Sequence, residues 1–185
     1  MFSETRARFI DIGVRAEHIH RMHGVNPATP PRGYAEQDMR KSNFLSKYFL
    51  EHFAPLATMQ FNDDNVAAVC WAEDDCHVKR DITVQKILQE IKAAAPAGAW
   101  LGFNKVDARP RYGAHLLGFT KQSLEKFTTS ARNRYREKRC ALDTIVWHMS
   151  PHCSSRQRSD TICIRSPTES MATQRSHDLR GRRLP

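Results

Sequence analysis

The sequence predicts an α+β domain: a ferredoxin-like sandwich of order β-α-β-β-α-β, extended by a basic C-terminal helix and a disordered tail. Three observations carry this. Val84, Ile87, Leu88 and Ile91 recur at helical spacing, the cleanest periodic signal in the chain. Two short runs, 56–61 and 66–71, flank the turn-forming Asn62, Asp63, Asp64 and Asn65. Charge is unevenly split, with 12 Lys+Arg against 13 Asp+Glu in residues 1–100 and 17 against 7 in residues 101–185. A near-neutral globular part thus precedes a basic arm, an asymmetry that points to nucleic acid or another polyanion, the alternative being charge that only keeps a disordered tail solvated.

Taken in order, residues 1–14 form a loose lead. The domain spans 15–120 and opens with a strand at 18–25, which ends at Gly24 and Val25. Pro27, Pro30, Pro31 and Gly33 make 26–36 a loop. Asp38 can cap a helix in which Phe44, Leu45, Tyr48, Phe49 and Phe53 recur before Pro55. Strands at 56–61 and 66–71 follow, then a helix capped by Asp81 and a loop through Pro96, Gly98, Gly102 and Pro110. A last strand covers 114–119.

Residues 121–140 hold the basic helix. Leu124, Phe127, Ala131 and Tyr135 fall on one face, and seven Lys/Arg stand against two Glu over 121–139. From 141 to 185 Ser, Thr and Arg dominate without a sustained period, which predicts a disordered tail.

The densest chemistry lies in residues 61–73. Phe61 and Trp71 offer faces on which a base can stack, and a cationic base gains further from the ring quadrupole. Asp63, Asp64 and Glu73 can accept hydrogen bonds from a guanine edge. On the basic helix, Lys126, Arg132, Arg134, Arg136, Lys138 and Arg139 are the candidates for RNA phosphates. The competing reading is structural: Asp is a common turn residue, and either aromatic can serve the core. The Lys/Arg-Gly-aromatic pattern for stacking bases across a sheet is missing from 66–71.

Other chemistries find no support. His18, His20 and His23, even with Cys70, Cys76 and His77, match no zinc-finger spacing, so no metal is expected. Asp74 and Asp75 read as solvated loop acids. No nucleophile motif or phosphate-cradling glycine loop occurs, so no enzyme, cofactor or small-molecule substrate is expected. The longest weakly apolar run, 93–103, is too short to span a membrane. Five cysteines without a CxxC pair read as reduced thiols of an intracellular protein.

Three patches resemble the family of the third subunit of the nuclear cap-binding complex, a divergent RNA-recognition-motif protein. They are Arg15 to Val25, Asp38 to Phe49 with Phe61-Asn62-Asp63-Asp64 and Val69-Cys70-Trp71, and Tyr112 to Thr120 leading into Ala131 to Lys138. Phe61 and Asn62 stand where the family has Trp and Leu, and 26–36 is an insertion. The resemblance implies a nuclear, non-catalytic RNA-binding protein, with shuttling to the cytoplasm left open. It would bind the 5′ cap of mRNA through Asp63, Asp64, Phe61, Trp71 and Glu73 and act in mRNA processing or export. Its partners would be capped mRNA and other cap-binding or export proteins. The alternative is a protein-docking module of the same fold without cap affinity.

Overall fold

A computed structural model describes residues 2–23, 29, 32–39, 43–73, 76–78, 81–96, 98–102, 104–105, 111–112, 115–148 and 163–165. Helices α1 (Phe2–Asp11) and α2 (Glu36–Met39) precede an almost unbroken helical rod. This rod consists of α3 (Asn43–Tyr48), a π-turn (Phe49–Phe53) and α4 (Ala54–Gln60). It replaces the expected helix stop at Pro55 and the expected strand at 56–61. In the π-turn the Ala54 N–H reaches back to Phe49 O, a five-residue span. That widened turn accommodates the ring and missing N–H of Pro55, so the helix continues where proline ordinarily breaks it.

Strands β1 (Val69–Ala72) and β2 (Cys76–Val78) follow, then α5 (Val84–Ala94), β3 (Trp100–Leu101), β4 (Asn104–Lys105), β5 (Arg111–Tyr112) and β6 (Leu116–Phe119). The chain continues through α6 (Lys121–Glu137), α7 (Leu142–His148) and β7 (Cys163–Arg165). Thr83, rather than Asp81, caps α5 by accepting from Lys86 N–H. Thr120 and Ser123 form a capping box at α6. The segment 16–18 is a 3-10 turn and 19–23 carries no strand, so the expected first strand does not form there.

The fold is α+β, but its sheet does not follow the expected order. Three antiparallel strands lie as β1-β6-β3, while β2-β7 and β4-β5 are separate pairs. Alternation along β6 explains the layering. Leu117 and Phe119 enter a core with Trp71, Leu101 and the helices α3, α4, α6 and α7. Leu116 enters a second core with Trp100, Ile87 and Ile91 of α5 and Phe9 of α1. Gly118 lets α5 approach, since a methyl there would lie 2.5 Å from Ile91 Cγ1 and 2.8 Å from Trp100 Cε3. Helices α5 and α6 therefore cover opposite faces, whereas a ferredoxin-like sandwich places both helices on one.

Two further expectations meet differences. Leu142, Ile145 and Val146 of α7 are fully buried in the first core, so order extends past 140 into the segment expected to be disordered. Residues 149–162 and 166–185 of that tail lie outside the described residues. Cys76 is disulfide-bonded, departing from the expectation of reduced thiols, whereas Cys70 and Cys140 are free.

Candidate nucleic-acid interface

The π-turn builds the aromatic heart of the first core. Phe49 lies 4.9 Å from Phe53, 5.6 Å from Trp71 and 5.6 Å from Phe127 between ring centroids. Phe53 meets Trp71 edge-on at 5.4 Å. Such edge contacts add about 0.5–1.5 kcal/mol each beyond burial. Trp71 is only 8% exposed and Phe61 only 7%. Both aromatic candidates for base stacking are thus committed to the interior. The Trp71 indole N–H is buried without a hydrogen-bond partner.

The three carboxylates are not gathered around these rings. Asp63 Oδ1 accepts from the backbone and side-chain nitrogens of Asn65, each at 2.9 Å, closing the expected turn. These bonds, with the nearby His18, hold the exposed Asp63 carboxyl below its usual range. Asp64 is exposed beside it. Glu73 instead bonds the ring of buried His115 through its side chain, and its backbone N–H donates to His115 O at 2.9 Å. Asp63 and Asp64 therefore remain open to a ligand, while Glu73 is engaged.

Helix α6 places the cations. Leu124, Phe127, Ala131 and Tyr135 are buried, as their spacing predicts, which turns the opposite half outward. Lys126, Arg132, Arg136 and Lys138 are exposed and have no ion-pair partner among the described residues. Arg132 and Arg136 stand one turn apart, about 6 Å along the axis. Asn133 is exposed between them, and Thr129 and the acid Glu125 are exposed on the preceding turns. The other two predicted cations are engaged. Arg134 is half-buried and lies 3.8 Å from Glu137, and Arg139 Nε lies 2.8 Å from Asp38 Oδ1.

Asp38 is the residue that local sequence reasoning misplaced. Rather than serving as an exposed cap, it is 1% exposed and sits in a knot of four donors. Oδ1 accepts from Tyr135 Oη at 2.7 Å and Arg139, and Oδ2 from Ala35 N at 2.8 Å and Lys47 Nζ at 3.1 Å. Burial pushes its carboxyl up, but the bonds from Tyr135, Ala35 and Lys47 outweigh this and hold it below its usual value. Burial and the neighbouring Asp38 push the Tyr135 phenol well up. Lys47 also donates to Gly33 O at 2.5 Å and lies 4.6 Å from the Tyr34 ring. The knot ties the segment before the rod to the end of the basic helix.

No family model, curated protein or solved structure matches this chain. Among the described residues no group of His, Cys, Asp and Glu could hold a metal ion, and no helix is long and apolar enough to cross a membrane.

Proposed function

We propose that this chain is a non-enzymatic RNA-binding protein that grips phosphates with the outward half of α6. The carrying observation is the trio Lys126, Arg132 and Arg136, exposed and, among the described residues, without an ion-pair partner on a helix whose other half is sealed into the core, with Lys138 exposed at its C-terminal cap. Positive side chains held on a rigid element displace counterions from a phosphate backbone, and this gives affinity without base contacts. Recognition of the 5′ cap belongs to the same proposal, with the exposed Asp63–Asp64 pair as its support. Nuclear residence, a part in mRNA processing or export, and cap-binding or export partners rest on the family resemblance alone.

Fluorescence anisotropy of one short RNA, capped and uncapped, titrated with the full chain tests this reading. Arg132→Glu with Arg136→Glu is expected to weaken binding of both forms by at least tenfold. Unchanged affinity would refute the phosphate grip. Preference for the capped RNA, lost in Asp63→Ala/Asp64→Ala, would support cap recognition, and equal binding would leave a phosphate binder.

A protein-docking role is the second reading. It is favoured by Leu56, 50% exposed, and Met59, 63% exposed, three residues apart on α4 and close in sequence to the acidic turn. It would gain ground if RNA binding were absent or insensitive to salt.

A further inference from the structure

RNA binding makes no use of the cysteines, yet one of them ties the C-terminal part of the chain to its body. Cys76 is disulfide-bonded, while Cys70 and Cys140 are free. With five cysteines in the chain, its partner is therefore Cys153 or Cys163. Both follow α7, in the part of the chain that carries β7. We propose that this bond is a redox-controlled clasp: oxidation holds β7 on β2, and reduction releases it.

The two strands joined by the clasp are held very differently without it. Strand β2 is anchored in the second core, where Cys76 is 1% exposed and Val78 3%, beside Phe9, Ile12, Ile82 and Ile87. The Cys76 N–H also donates to Glu73 O at 3.0 Å. Strand β7 has only three residues, and its ladder is antiparallel to β2, with Arg165 opposite Cys76, Ile164 opposite His77 and Cys163 opposite Val78. Among the described residues no third strand joins this pair. Two-stranded pairs standing alone are marginally stable at best. A crosslink removes the loop-closure entropy that opposes such a pairing. The bond therefore decides whether β7 stays docked. Arg175, Arg180, Arg182 and Arg183 follow β7 in sequence, so the clasp also sets where this basic stretch leaves the folded body.

The chemistry balances with a disulfide oxidant such as glutathione disulfide. One protein thiolate attacks it, forming a mixed disulfide and expelling one glutathione thiolate. The second protein thiolate then displaces the other glutathione. Two protein thiols thereby lose two electrons and two protons, and one oxidant molecule becomes two thiols. A dithiol runs the same sequence in reverse. Attack at the enclosed sulfur of Cys76 itself waits for local opening of the second core.

The test equilibrates the full chain with glutathione disulfide or with dithiothreitol and reads both samples by mass spectrometry. Non-reducing peptide mapping of the oxidised chain should link Cys76 to Cys153 or Cys163 within one molecule. On reduction, backbone hydrogen exchange at 163–165 should quicken at least about tenfold, while 124–135 of α6 exchanges as slowly as before. Cys76→Ala without reductant should match the reduced wild type. Cys76 linked to Cys70 or Cys140, bonded between molecules, or left as a thiol in excess oxidant would overturn the proposal. Equal exchange at 163–165 in the two wild-type samples would do the same. Loss of protection in α6 as well would make the bond a staple of the whole fold and would also sink the clasp.

Discussion

Replacing Asp38 with Asn changes one oxygen for an amide and should remove a large part of the fold's stability. In the native chain both carboxylate oxygens accept, two donors each. Asparagine has one acceptor oxygen and a donor nitrogen, so one pair of donors must face another donor. Arg139 is 41% exposed in its side chain and can turn to water, so it adds little to the loss. The Tyr135 hydroxyl, in a buried bond, and Lys47, 15% exposed, cannot do so cheaply. Breaking a buried charged network in this way costs about 3–5 kcal/mol. Against a total of about 5–15 kcal/mol this is about a fifth of the margin or more. For a chain of this size it lowers Tm by roughly 6–20 °C.

The assay is urea unfolding of both proteins from pH 7 to pH 3. Because the folded Asp38 carboxyl titrates below its unfolded value, its contribution is present above about pH 3.9 and is lost as pH falls through the lower folded value. The gap between wild type and Asp38→Asn should therefore be full at pH 5–7 and close below about pH 4. A gap under about 1 kcal/mol at pH 7 with unchanged m would refute the reasoning.

Three further outcomes are expected. Arg139→Ala should lower the urea midpoint yet leave RNA affinity within about twofold, since its guanidinium serves Asp38; a large loss of affinity would return it to the phosphate set. Trp71→Phe should leave capped-RNA affinity unchanged, because the ring lies in the core, and should cost less stability than most core changes because a partnerless N–H goes with it. Gly118→Val should cost about 1–3 kcal/mol or more by pushing α5 off the sheet, seen as a lowered midpoint, and a neutral result would mean that Ile91 yields freely.

The legible parts were those whose information is local. The spacing of Leu124, Phe127, Ala131 and Tyr135 marked the buried face of α6, and Asn62 to Asn65 marked the turn. Pro55 misled because its stop signal was overridden by a π-turn, which no pattern of hydrophobicity announces. The spacing of Leu142, Ile145 and Val146 was a short helical signal hidden by polar surroundings. Asp38 was illegible for another reason. Its partner Tyr135 stands 97 residues away, and a carboxylate before a helix looks the same whether it caps that helix or is enclosed. Phe61 and Trp71 could serve a ligand or a core equally well in sequence; the aromatic crowd from the π-turn decided for the core.

That long reach has a consequence for synthesis. A ribosome adds about 5–20 residues each second, so Asp38 emerges some 5–20 s before the tyrosine that encloses it. Ser46 waits comparably for the Cys140 carbonyl, 94 residues on. For most of that interval Phe49 and Phe53 lack Phe119 and Phe127, and the apolar side of the nascent rod stays open to water. The half-made chain is the form most exposed to aggregation and to chaperone capture, and the arrival of the basic helix ends that exposure.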